Sequence, residues 1–243
     1  MTSMILILTA TMTATLSATL GMVGGAVLLW VCLVLLPVGP AMVLHGLTQA
    51  ASNGARAALL ARHIRWRVLL YYSLGAGLAA LAARGVSWLP DRDLVYICLG
   101  LFPWVGLLIG DRLGPRDITS PRTACIAGVL IAGLQSIAGV SGPLLDLFFQ
   151  DTPLSRQEVV ATKAATQWVS HLAKILVFWP TLRETPLSVG LVGGMWAATL
   201  VGTLVGGSLL QRLDETRFRL YGRTGIQLLG LFYLVNGVIG LAT

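Results

Sequence analysis

From residue 4 onward the chain alternates long apolar runs with short clusters of arginine, aspartate and proline. Within a run the apolar positions are nearly continuous. The two-residue alternation of a membrane β-barrel strand is absent, and several runs reach the roughly 20 residues that an α-helix needs to cross hydrocarbon. The pattern predicts an all-α, polytopic integral membrane protein with about eight membrane segments and no soluble domain of useful size.

The first run, 4–37, is interrupted by Gly21-Met22-Val23-Gly24-Gly25-Ala26. As one straight helix it would be about 50 Å long at 1.5 Å per residue, too long for a single span. It is therefore expected to break at Gly24-Gly25 or to re-enter as a hairpin, and to close at Pro37 and Pro40. Helices are predicted at 41–61, 68–84 and 94–110. Between them lie the basic run Arg62-His63-Ile64-Arg65-Trp66-Arg67 and an interfacial turn at Trp88-Leu89-Pro90; the pair Asp111-Arg112 follows the last. The order then restarts. A second broken run covers 123–149, interrupted from Gly139 to Pro143, and helices follow at 155–179, 187–211 and 222–242. Leu47-Thr48-Gln49-Ala50-Ala51-Ser52-Asn53 aligns with Ala161-Thr162-Lys163-Ala164-Ala165-Thr166-Gln167, and Leu99-Gly100-Leu101-Phe102 with Leu229-Gly230-Leu231-Phe232. The chain thus reads as two homologous repeats, 1–113 and 114–243, each opening with a glycine-broken or re-entrant helix. Repeats with broken helices are the mark of secondary transporters.

The breaks matter chemically. Glycine and proline inside a membrane helix free backbone N–H and C=O groups, which are tolerated only against protein or a water-filled cavity. A helix restarting after the break points its positive end into the gap and favours an anion there. Gly24 and Gly25 in the first half, and Ser141 and Gly142 in the second, are the expected anion-facing positions.

Composition supports the membrane reading. The 243 residues are 56% hydrophobic and 11% charged, with mean hydropathy +0.80, against about a quarter charged in soluble domains. The net charge of +7 would suit nucleic acid, but the basic residues sit between apolar runs, where they read as cytoplasmic-loop charge. Cys32, Cys98 and Cys125 lack paired spacing and read as small buried hydrophobes, with no metal site or disulfide. Residues 4–20 read as a mature helix, since Met1-Thr2-Ser3 carries no positive charge.

The loop arginines also choose an orientation. If both broken runs span fully, the repeats are parallel and the arginines divide eight against seven. If both re-enter, the repeats are inverted and the division is twelve against three, with only Arg84, Arg92 and Arg183 outside. The inverted arrangement, with both termini outside, satisfies the positive-inside rule.

Candidate chemistry lies on the polar helices. In 155–179, Lys163, Gln167, Ser170 and Lys174 recur on one face, flanked by His171. In 41–61, His45, Gln49, Ser52 and Arg56 form the corresponding stripe, flanked by Asn53. Ionisable residues inside a membrane helix mark a pathway, though a lysine can also snorkel to the interface. Amides can donate several hydrogen bonds to an oxyanion or serve as glue between helices. Asp146 stands deep in an apolar run, as an ion-pair partner of a lysine or as a titrating, coupling group.

A glycine cluster opening each half, then an apolar half-helix, a proline and a helix carrying Ala161-Thr162-Lys163-Ala164, resembles the sulfite exporter TauE/SafE family, also called the toluene sulfonate uptake permeases. The resemblance covers nearly the whole chain. Where the family pattern has three adjacent glycines, this chain has Gly24-Gly25 and Gly139-Val140-Ser141-Gly142. The resemblance implies a multi-pass permease of the cytoplasmic (inner) membrane that moves small sulfur oxyanions or organosulfonates. Its expected partners are that anion and the lipid bilayer; a homodimer stays open, nucleic acid is not expected, and no cofactor is implied. No Walker motif points to ATP hydrolysis.

Two other classes compete. Gly139-Val140-Ser141-Gly142 has the G-x-S-G form of rhomboid intramembrane serine proteases, with His171 as the base. A purely structural membrane subunit is the other. The transporter reading is preferred because repeats account for both breaks, whereas a protease accounts for one. The charge count yields a first prediction: single cysteines at 212–222, in a cysteine-free background, label only from the cytoplasmic side. Labelling from outside intact cells would refute the inverted arrangement.

Overall fold

A computed structural model describes residues 1–20, 23–86, 89–109, 117–150, 152–210 and 215–242. Among them every regular element is helical: α1 (Thr2–Leu20), α2 (Val23–Leu35), α3 (Val38–Leu59), α4 (Trp66–Val86), α5 (Arg92–Ile109), α6 (Pro121–Ala138), α7 (Gly142–Leu147), α8 (Arg156–Phe178), α9 (Val189–Leu210) and α10 (Glu215–Ala242). Helices α1, α4, α6, α9 and α10 each contain a segment long and apolar enough to cross a membrane. Gly21 and Met22 of the first break, Trp88, Asp111-Arg112, Arg116 and Arg212 lie outside the described residues.

Local chemistry sets the helix ends. Pro37 precedes α3 and Pro40 lies in its first turn, where a missing N–H costs nothing. The helix therefore starts at Val38, ahead of the expected residue 41. Asp91 accepts from the Leu94 N–H at 2.7 Å and caps α5. Ser155 and Glu158 form a reciprocal capping box at the start of α8. Gly139 ends α6 in the left-handed region (φ 75°), its N–H bonded to Gln135 O at 2.9 Å, a conformation open to glycine at no steric cost.

The first run divides into α1 and α2, and α2 begins at Val23, next to the expected break at Gly24-Gly25. Both glycines lie in the first turn of α2. A Cβ on Gly24 would collide with the Thr13 carbonyl of α1, so this glycine permits close packing of the α1–α2 pair. After the second interruption α7 starts at Gly142 and is six residues long, about what the run 123–149 leaves beyond Pro143.

Packing partners follow a regular scheme. α1 lies against α9, and α4 against α6; α3 packs on α8 and α9, and α8 on α3 and α4; α5 lies against α10. α3 and α8 are antiparallel: Gly39 meets Thr181 at one end, His45 meets Lys174, Gly54 meets Trp168, and Arg65 N–H bonds Thr162 Oγ1 at the other. α5 and α10 are antiparallel too, with Asp93 and Ile97 beside Gly237 and Pro103 beside Gly230. Three apolar clusters of buried residues are found among the described residues. One joins α1, α2, α3, α5, α8, α9 and α10; a second joins α4, α6, α7 and Phe148-Phe149; the third sets Ala57 and Ile64 against Ala161, Ala164 and Ala165 of α8.

In lipid, helices gain little from hydrophobic burial against one another, so close approach and interhelical hydrogen bonds carry the association. At α4–α6 the approach is backbone to backbone. A Cβ on Gly75 would strike the Cys125 carbonyl, and one on Gly128 the Tyr72 carbonyl. Gly77, two residues on and facing the other side of the helix, has open space around it. Gly75→Leu is therefore expected to cost at least about 1–3 kcal/mol through overpacking, while Gly77→Leu is neutral. Thermal unfolding of the purified variants in one detergent checks this; equal midpoints would show that the interface gives way.

Candidate functional site

The antiparallel contact of α3 and α8 leaves a cavity of about 180 Å³, below the roughly 300 Å³ at which pockets for drug-sized ligands begin. From α3 it is lined by His45, Gln49, Ser52, Asn53 and Arg56, and from α8 by Lys163, Gln167 and His171. Gly25 of α2, Ser17 of α1, and Gln135, Ser141 and Gly142 around the second break complete the wall. The four-residue spacing of Gln49, Asn53, Lys163 and Gln167 is why they meet: on each helix it turns the pair to one face, and those faces oppose each other.

Beneath the cavity runs a buried hydrogen-bonded chain. His45 Nε2 is 2.9 Å from Gly25 O. A carbonyl only accepts, so Nε2 carries the proton and Nδ1 is the acceptor. Lys174 Nζ donates to that Nδ1 at 2.7 Å and to Gly139 O at 2.9 Å. Both side chains are fully buried. Alongside, Ser141 Oγ donates to Gln135 Oε1 at 3.0 Å, which orients the amide so that Nε2 donates to His171 Nδ1 at 2.7 Å. The two imidazole rings lie edge to face, 5.7 Å between centroids.

Charge is unevenly distributed around the cavity. Lys163 forms a salt bridge with Asp146; the pair leaves little net charge there. Arg56 has neither an ion-pair nor a hydrogen-bond partner among the described residues. The side-chain amides of Gln49 and Gln167 are likewise without hydrogen-bond partners among them, and Asn53 bonds only within its own helix, to Gln49 O at 3.0 Å. The wall thus presents one free guanidinium and several uncommitted amide donors.

Of the residues singled out in the sequence, Gly25, Gln49, Asn53, Ser141, Gly142, Lys163, Gln167 and His171 meet in this cavity. Gly24 faces α1 instead, and Lys174 lies behind the wall. Asp146 stands against Lys163. Sequence reasoning placed Arg56 on the polar stripe but also counted it with the loop charges and did not name it as a binding residue; its place four residues after Ser52 was the signal. It passed over Gln135, four residues before the Gly139 break, and Ser17. The Ser–His dyad of a protease is not formed: the Ser141 hydroxyl goes to Gln135, whose amide also occupies His171 Nδ1.

Helices long and apolar enough to cross a membrane, packed around a small polar cavity, are the architecture of a helical membrane protein. The chain belongs to the Sulfite exporter TauE/SafE family, whose profile matches residues 6–233. That family comprises transporters rather than enzymes. Searches of curated proteins and of solved structures found no match.

Gln135 satisfies two buried polar groups at once. Gln135→Leu leaves Ser141 Oγ and His171 Nδ1 without their partner, at about 1–3 kcal/mol for each group. A fall in the thermal midpoint larger than that of Ser141→Ala is expected; equality of the two would mean that His171 finds another donor.

Proposed function

We propose that the protein is a secondary carrier of small sulfur-containing anions, sulfite or organosulfonates, across the cytoplasmic membrane, and that the α3–α8 cavity is its substrate site. The observation that carries this reading is Arg56, a cation unpaired among the described residues, beside the amides of Gln49 and Gln167, which are open among them too. An oxyanion leaving water loses hydration that charge and several donors must replace. A guanidinium offers a planar, two-pronged donor set suited to sulfonate or sulfite oxygens. The first turn of α2 adds partial positive charge at Gly25. The six residues of α7 add local N–H groups rather than a full helix dipole. The small volume favours a compact anion.

Two inverted repeats, α1–α5 and α6–α10, support alternating access. Exchanging α1 with α6, α2 with α7, α3 with α8, α4 with α9 and α5 with α10 turns α1–α9 packing into α6–α4, α3–α9 into α8–α4, and α2–α10 into α7–α5. Each of these pairs is in contact. The two pairs that map onto themselves, α3–α8 and α5–α10, are antiparallel, as inversion across the membrane plane requires; parallel repeats would make them parallel. The cavity sits where the halves meet, the usual place for a carrier site. Multi-pass insertion in the inner membrane, with the anion as ligand, completes the reading.

Proteoliposome flux with sulfite, methanesulfonate, taurine, sulfate and chloride tests it. Arg56→Gln is expected to weaken anion binding at least tenfold, about 1.4 kcal/mol, in a protein that still elutes as one species. Lys163→Ala weakens it as well, because Asp146 is left as an uncompensated carboxylate in the wall, and adding Asp146→Asn recovers part of the loss. Unchanged affinity in Arg56→Gln would remove this cavity as the site.

A further inference from the structure

The carrier reading leaves Lys174 without a task. It is fully buried, lies behind the substrate wall, and is bonded only to His45 Nδ1 and Gly139 O. The ion pairs among the described residues are Arg65–Glu158 and Lys163–Asp146, so no carboxylate offsets an ammonium at this position. The groups around it are uncharged acceptors or weak acids. α3 presents His45; α2 presents Cys32; α8 itself presents His171, one turn back; the end of α6 presents Gly139 O, and Gln135 of α6 holds His171; Tyr72 of α4 is held by Ser170, one turn before Lys174, at 2.6 Å. The hydrogen bond to Gly25 O leaves His45 with Nδ1 as an acceptor, so a proton on Lys174 has somewhere to point but no negative partner.

A buried, unpaired ammonium is costly. An anion in the cavity is the missing partner, separated from Lys174 by the rings of His45 and His171, which line the cavity. Resting on the carrier reading, we propose that Lys174 is the proton-binding site of the transport cycle: it takes up one proton as a monovalent anion enters the cavity and releases it as the anion leaves. The loaded carrier then gains no net charge, so the added electrostatic cost of moving the anion through the low-dielectric interior is cancelled. The proton comes from water in the cavity and returns to it on the opposite side. No bond other than N–H is made or broken.

The test uses methanesulfonate, the anion of a strong acid, so that the ligand itself does not titrate. Purified full-length protein is mixed with methanesulfonate in weakly buffered solution containing a pH dye, and bound anion is measured in parallel. Wild-type protein is expected to take up as much as one proton per anion bound, and its affinity to fall with rising pH, by as much as tenfold per unit where uptake is complete. Lys174→Arg keeps the charge permanently, so binding persists without uptake and with a flat pH profile. Anion binding by the wild type with no proton uptake would overturn this proposal and leave the carrier reading standing. Uptake that persists in Lys174→Arg would overturn it in favour of a histidine. Failure of the wild type to bind methanesulfonate or any other anion of the panel would remove both readings together.

Discussion

One hydrogen-bonded chain holds the centre of this protein: Gly25 O to His45, His45 to Lys174, Lys174 to Gly139 O. Its ends are carbonyls beside the two interruptions, Gly25 O in the first turn of α2 and Gly139 O at the end of α6. An interrupted helix in a membrane must have its freed carbonyls and amides met by protein. Here the side chains that approach them come from α3 and α8, the two polar helices. The chain thereby fixes how α3 and α8 cross, and that crossing creates the cavity. Losing any of its donors would strand a buried acceptor, which costs far more than the bond itself contributes.

Outside this centre the structure is assembled by shape. Small residues let α4 approach α6, and α1 approach α9, to backbone distance. Polar chemistry is thus concentrated on α3 and α8, and the surrounding helices serve as a close-packed frame. That division explains why so small a membrane protein can hold an arginine, two lysines and two histidines inside or beside one cavity. The salt bridge of Lys163 with Asp146 removes charge from the wall and leaves Arg56 as its unpaired cation among the described residues, while Lys174 remains behind the wall with no acid beside it among them.

Much of this was legible in the residues alone. Runs of apolar residues of membrane length determine a helical membrane protein, because the bilayer leaves few alternatives. The glycine breaks, the repeated order of elements and the four-residue spacing of polar side chains mark which helices carry chemistry, since helical periodicity is a local property. The family resemblance followed from the same features, and the family profile spans 6–233.

Tertiary structure decided what depends on distance between helices. Sequence placed Lys163, Lys174 and Asp146 on polar or interrupted segments, but only the packing of α7 against its surroundings pairs Asp146 with Lys163 and leaves Lys174 to His45. Arg56 stood on the polar stripe but was also counted as a loop charge because it lies near a basic run; the antiparallel crossing of α3 with α8 sets it at the cavity. Gly24 looked like part of the break because glycine usually marks one; its neighbour across the hairpin, Thr13, shows that it serves close packing. The reason is common to all three. Periodicity along one helix says which face a residue occupies, but which partner that face meets is set by packing between segments far apart in the chain.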